Sequence, residues 1–233
     1  MKNSNKIEHP KVQKIIQIIS LIAFFILYII LINELIISTN LYRIPLIIFS
    51  IPIGLILADF FSGLFHWAAD TWGSVNWPII GSTILLSFRN HHTDPKGIIR
   101  HKFYQRIGDS CIFALPILIS TYYINSLSLF AYFIKSILLV FLLGIALTNQ
   151  IHCWAHMKKV PKIIYYFQKT KIILSADKHK IHHNKPFSEN YCITTGWLNE
   201  LFTKIHFFRR MEKLVTFLTG ALPRSEDKIW HNS

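Results

Sequence analysis

The sequence predicts an all-α, multi-pass integral membrane protein, with about four transmembrane helices and a histidine-rich cap at one membrane face. Three observations carry this. Hydrophobic residues make up 52% of the chain and charged residues only 16%, where a soluble domain carries about 25% charged residues. Several apolar runs approach or exceed the roughly 20 residues that span a bilayer core as helix. The twelve histidines gather in short clusters just beyond those runs. The 233 residues suit a single membrane domain over 1–233. Cys111, Cys153 and Cys192 are scattered, odd in number and without metal-ligand spacing, so they read as reduced residues. No cleavable signal peptide is expected, because the first apolar run is long and lacks a small-residue cleavage site.

The first span covers 15–37 and is almost wholly apolar until Asn33 and Glu34. A short turn leads to the second span, 44–65, with Pro45 near its start and Pro52 inside it; a proline there can kink a membrane helix. The third and fourth spans are placed at 110–124 and 128–156, with Asn125 and Ser126 as the turn and Lys135 near an end, where its amine can snorkel to the interface. An alternative division puts spans at 111–133 and 137–156. Basic residues set the orientation: four in 1–14, five in 66–110 and fourteen in 157–233, against Arg43 and Lys135 on the other side. With four spans all three basic segments share one side, which the positive-inside rule makes cytoplasmic. The cap is then 66–109 plus 157–233, and the termini are cytoplasmic too. Val160 to Gln168 and Asn199 to Thr219 interleave aromatic and aliphatic residues with cations and read as helices lying on the membrane surface. The net charge of +13 fits topology and contact with anionic lipid; no nucleic-acid motif accompanies it.

The histidines supply the chemistry. His66 and Asp70 are spaced i, i+4 at the end of the second span, and His152 and His156 at the end of the fourth. Residues four apart share a helix face. His91 and His92 lie in Phe88-Arg-Asn-His-His-Thr-Asp-Pro95, and His101 follows. His179, His182 and His183 form H-x-x-H-H. Imidazole suits zinc, copper, iron and nickel. Nine or ten donors exceed the four of one zinc, so two metals are implied. Two irons held from facing helices are one established solution for oxygen chemistry, and no H-E-x-x-H protease motif is present. Asp70 reads equally as a ligand or as an acceptor that orients an imidazole. Asp59, seven residues before His66, and Asn149, three before His152, are candidates for a supporting or substrate-channel role, with a structural hydrogen bond as the alternative. His9, His206 and His231 read as interfacial or capping residues.

Taken together, several long stretches resemble one family. They are Ala58-Asp-Phe-Phe-Ser-Gly-Leu-Phe-His-Trp-Ala-Ala-Asp-Thr-Trp-Gly-Ser74, Phe88 to Pro95, Thr148-Asn-Gln-Ile-His-Cys-Trp-Ala-His156, His179-Lys-Ile-His-His183 and Cys192-Ile-Thr-Thr-Gly-Trp-Leu-Asn199. The chain resembles the Kua- and CarF-like lipid desaturases, the family of plasmanylethanolamine desaturase, over roughly 55–212. It departs from the family pattern at Asn90, where glutamate is expected before the His–His pair, and at Lys178, where a further histidine is expected. The resemblance implies two non-haem iron ions, O2 as co-substrate, two electrons from an external cytochrome b5-like or ferredoxin-like donor, and a membrane glycerophospholipid as substrate. The ether-lipid branch converts a 1-O-alkyl (plasmanyl) chain to the 1-O-alk-1'-enyl (plasmenyl) chain of a plasmalogen. The plant branch desaturates an acyl chain of phosphatidylglycerol. Trp67, Trp72, Trp77 and Trp197 either position the lipid or form an aromatic belt. A lipid hydroxylase is the neighbouring enzyme reading. A metal-binding membrane transporter is the reading outside enzymes, and histidines gathered at one face weigh against it.

Overall fold

The computed structural model describes residues 11–224, except Ile79, Pro186 and the side chain of Ser82; His9 and His231 lie outside the described residues. Among these the elements are helical and no strand occurs. They are α1 (Lys11–Ile37), α2 (Ile44–Thr71), α3 (Leu86–Thr93), α4 (Gly97–Arg100), α5 (Phe103–Tyr122), α6 (Leu129–His156), α7 (Lys162–Lys169), α8 (Ala176–His182), α9 (Asn199–Lys204) and α10 (Phe207–Thr219). A short 3-10 turn leads into α2, and a π-helical turn, Gly81–Leu85, leads into α3.

Among the described residues, three helices are long and apolar enough to cross a membrane: α1, α2 with its preceding turn, and α6. Their composition explains them. On α1, Ile19, Ile22, Ile26 and Ile29 are 50–64% exposed, an apolar stripe that lipid covers at no cost and water does not. The second helix continues past the predicted end at residue 65 to Thr71, so His66 and Asp70 stand on unbroken helix. The fourth long helix, α5, begins at Phe103 rather than 110 and ends at Tyr122. Its first turns carry polar residues that the bundle satisfies from within. Arg106 Nε donates to Gln150 Oε1 at 2.8 Å, and Gln17 Nε2 donates to Asp109 Oδ1 at 2.9 Å. The break between α5 and α6 falls at 123–128, which is the division with Asn125 and Ser126 in the turn, and Ser128 caps α6 by accepting from Ala131 N at 3.1 Å.

The long helices pack in the order α2, α6, α5, α1. Small residues set the closest approach. A Cβ added at Gly54 would lie 2.6 Å from Val140 Cβ, and one at Gly144 would lie 2.6 Å from Ala58 Cβ, the small-residue contact that membrane helices use in place of a hydrophobic driving force. Lys135 does not snorkel. It is fully buried and ion-paired to Glu34 on α1 at 2.7 and 2.8 Å, with Ile124 O at 3.2 Å. The reason is its place near the start of α6, where the opposing carboxylate reaches it before the interface does.

Amphipathic α7 buries Ile164 and leaves Ile163, Tyr165 and Tyr166 exposed. The second amphipathic stretch is two helices rather than one, broken at His206, which is exposed and left-handed at φ 51°. Trp67 is only 4% exposed and packs on Trp72 and Phe208, so it belongs to the core of the cap and not to its surface. The three cysteines are free and buried.

Candidate metal centre

The end of α2, the end of α6, α3 and α8 meet at one end of the bundle. Helix geometry decides which side chains face inward. Pairs four apart share a face, so His66 and Asp70 point together, as do His152 and His156, and His179 and His183. Neighbours in sequence diverge by about 100°. His91 and His92 therefore go to different partners, and His182 leaves its own helix neighbours.

The result is two abutting donor groups. One holds His91, His152, His156, His179 and His183; the other holds His66, Asp70, His92 and His182; within each, one ligand atom per residue lies within 4.8 Å of every other. In the first group the Nε2 atoms converge: His152 to His179 at 2.7 Å, His156 to His179 at 2.8 Å, His179 to His183 at 3.0 Å, and His91 to His183 and His152 to His156 at 3.1 Å. A neutral imidazole carries one N–H, so five converging Nε2 atoms cannot all be satisfied by one another. A shared cation would satisfy them. With metal–nitrogen bonds of about 2.1 Å, adjacent ligands of an octahedral ion stand about 3.0 Å apart, which is the spacing found.

The second group gathers around Asp70 Oδ2, with His92 Nε2 at 3.0 Å, His66 Nε2 at 3.4 Å and His182 Nε2 at 3.7 Å. Here the far ring nitrogens fix the tautomer. His66 Nδ1 donates to Tyr191 O at 3.1 Å and His182 Nδ1 donates to Glu189 O at 2.8 Å. Each Nε2 is thereby left as a bare lone pair aimed inward, the arrangement that orients metal-bound histidine. His66 Nε2, His182 Nε2 and Asp70 Oδ1 are buried and have no hydrogen-bond partner. Unpaired buried polar atoms are costly, and a metal ion would supply the partner that the protein withholds.

Electrostatics agree. Burial, and after it the repulsion of neighbouring imidazoles, holds His91, His179 and His182 well below the ordinary imidazole range. His183 is pushed down to about 3 by burial first, then by His156 and His92, with Asp70 opposing. Neutral imidazoles at physiological pH present lone pairs rather than charge, as metal binding needs.

Other candidates fall outside both groups. His101 follows α4, with its carbonyl accepting from Arg106. Asn149 Nδ2 donates to Ser110 Oγ on α5 at 3.2 Å. Asp59 is fully buried; its Oδ1 accepts from the backbone N–H groups of Thr194 (3.2 Å), Thr195 and Gly196 (both 2.8 Å), and its Oδ2 from Leu198 N (3.1 Å). A structural hydrogen bond is the alternative reading of Asp59, but sequence reasoning did not anticipate a loop as its partner, nor the clasp in which Asn199 bonds both N and O of Cys192 at 2.9 and 2.8 Å. The motif 192–199 is thus a loop pinned to α2, and Gly63 on α2 admits Cys192, whose Sγ would lie 2.5 Å from an added Cβ. Asn90 is exposed at α3, and Lys178 Nζ lies 3.6 Å from Glu200 Oε2.

Comparison with known proteins bears on what this centre serves. The family model for the lipid desaturase domain matches residues 55–226, which includes both donor groups. The chain belongs to the lipid desaturase family. Within that family it is 42% identical over 192 residues to plasmanylethanolamine desaturase 1 of Mus musculus, covering 80% of this chain and 71% of that one. It is 40% identical over 182 residues to the plasmanylethanolamine desaturase of Myxococcus xanthus, covering 78% of this chain and 65% of the bacterial one. It is 31% identical over 175 residues to fatty acid desaturase 4, chloroplastic, of Arabidopsis thaliana, and spans about half of that protein. No solved structure matches. The histidine cluster fits the metal that lipid desaturases use.

Proposed function

We propose that the chain is an O2-dependent di-iron desaturase that converts plasmanyl to plasmenyl glycerophospholipid. The observation that carries this is the pair of abutting donor groups, one of five imidazoles and one of three imidazoles with a carboxylate, at the end of a bundle whose sides face lipid. His91, His152, His156, His179 and His183 would hold one iron, and His66, Asp70, His92 and His182 the other. Bound there, the irons supply the oxidising power that removes hydrogen from an unactivated carbon.

The rest is the protein's part. Tyr191 and Glu189 carbonyls hold His66 and His182 with Nε2 inward. Asp70 sets a negative charge among three imidazoles. The long apolar helices keep an alkyl chain in the same plane as the centre, which fixes the carbon that lies nearest. Two hydrogens leave adjacent carbons beside the ether oxygen. With two electrons from a cytochrome b5-like or ferredoxin-like donor and two protons, O2 is reduced to two waters. The excess of basic residues in 66–110 and 157–233 supports a cytoplasmic position for the termini and the centre. Cysteines introduced near Ser74 should therefore resist labelling from outside intact cells, and external labelling there would reverse the orientation.

The test is lipid analysis in cells that contain alkyl-ether phospholipids but no plasmalogens, with an electron donor supplied. An acid-labile product two hydrogens lighter than its precursor, dependent on O2, is expected. An acid-stable product of that mass would mark an acyl desaturase, the reading favoured by the likeness to the chloroplast enzyme. A product heavier by one oxygen would mark a hydroxylase. No oxygen-dependent change in a folded, iron-loaded protein would remove the enzyme reading.

A further inference from the structure

His66 lies on α2 and His182 on α8, yet both are held by carbonyls two residues apart in one stretch of chain. His66 Nδ1 donates to Tyr191 O, and His182 Nδ1 donates to Glu189 O. The residue between them is Asn190. By contrast, Nδ1 of His92, His179 and His183 is buried without a partner. We infer that Asn190 is a positioning residue for the group of His66, Asp70, His92 and His182: its side-chain amide fixes the two carbonyls that leave Nε2 of His66 and His182 bare and inward. This rests on the reading of the two donor groups as a metal centre and adds the residue that orients two of the donors.

The backbone comes first. Asn190 is left-handed, at φ 58°, a conformation that asparagine adopts more readily than most residues with a side chain. In an extended chain, carbonyls two residues apart point the same way and stand about 6–7 Å apart. The bend at Asn190 releases them from that spacing, and the rings they serve lie 4.4 Å apart between centroids. Glycine would make the same bend more freely, so the bend alone does not call for asparagine.

The side chain does. Asn190 is 7% exposed. Its Nδ2 donates to Lys178 O at 3.0 Å, and its Oδ1 accepts from Thr203 Oγ1 at 3.4 Å. Lys178 stands four residues before His182, about one turn back on α8. The amide therefore ties the segment that carries Glu189 O to the same helical turn that carries the ring it receives. The other end of the segment repeats the arrangement on α2. Ile193 N donates to Ser62 Oγ at 3.2 Å, and Ser62 stands four residues before His66. Each end of the 189–193 segment is thus bonded one turn behind the histidine that its carbonyl holds. A ring whose Nδ1–H is committed to a fixed carbonyl keeps one tautomer and one orientation.

Two variants of the full chain test this. Asn190→Gly keeps the bend and removes the amide. Asn190→Asp keeps the size and turns an acceptor toward Lys178 O, so it carries the test if the glycine variant does not fold. In the metal-free protein in detergent, NMR of isotope-labelled histidine reads which ring nitrogen holds the proton, with the two rings assigned from His66→Gln and His182→Gln. In iron(II)-loaded protein, a chelator challenge followed by metal analysis reads how tightly each iron is held. The parent should carry the proton on Nδ1 of both rings. Either variant should show mixed tautomers at both rings and release one iron at about tenfold lower chelator concentration, with the other iron held as in the parent. Parental tautomers and parental iron retention in folded Asn190→Gly, even with a lower melting temperature, would make Asn190 a turn residue and overturn the inference. Equal loosening of both irons with Nδ1 protonation intact would overturn it too. Mixed tautomers in the variants beside a parent that retains no iron would uphold the positioning role, and the metal-centre reading alone would fail.

Discussion

Asp59 and Asp70 stand on the same helix about three turns apart, and both are buried, yet they live in opposite surroundings. Asp59 is saturated: four backbone N–H groups of the 194–198 segment spend themselves on its two oxygens. Asp70 is left wanting. Its Oδ1 has no partner, and its Oδ2 faces imidazole nitrogens, two of which also lack partners. A carboxylate that the fold satisfies completely is a fastener. One that the fold leaves incomplete is waiting for something the fold does not contain. The same contrast separates Lys135 with Glu34, on the fastened side, from the inward His66 and His182, on the incomplete side.

The contrast can be broken in several ways. The largest effect should come from the five-histidine group. His152→Ala or His183→Ala should lose most of the metal and reduce vinyl-ether formation by about 100-fold or more, while His206→Ala should leave both unchanged. Metal analysis beside lipid turnover reads this, and equal tolerance of all three would remove the case for a histidine site. Asp70→Asn comes next. It should weaken metal binding by roughly 10–100-fold and leave the melting of the metal-free protein nearly where it was.

Asp59→Asn should invert that pattern. The amide turns a donor toward the Leu198 N–H, so the metal-free protein should lose about 2–3 kcal/mol, while metal per folded chain stays the same. Loss of metal without loss of stability would show Asp59 to belong with Asp70. Smallest of all should be Lys135→Met. Replacing a buried ion pair by apolar packing is often near neutral, and Glu34 is half-exposed and can turn to water. Unfolding in detergent should shift by about 1 kcal/mol or less, with metal content unaffected.

The spans α1, α2 and α6 were legible because their apolar runs are long and uninterrupted. The start of α5 was not. Arg106 and Asp109 read as loop until their partners Gln150 and Gln17, far away in sequence, are known. At the metal centre the rule of four identified each sharing pair, His66 with Asp70, His152 with His156 and His179 with His183. It did not say which pairs would combine, because that depends on how α2, α6 and α8 are rotated against one another. The division of His91 from His92 was within reach, since adjacent residues on a helix cannot share a face. The role of the 192–199 segment was hidden for a different reason. Its bonds to Asp59 run through backbone N–H groups, which every sequence possesses and none displays.

His91 and His183 touch across 92 residues of chain. During synthesis, α3 is made long before α8, so a nascent chain offers only part of either donor group until the stretch beyond α6 has been completed. Closing so long a loop is slow and entropically opposed. An ion that needs all the donors of either group would therefore be captured only at the last stage of assembly, and a truncated or half-inserted chain would present an incomplete set.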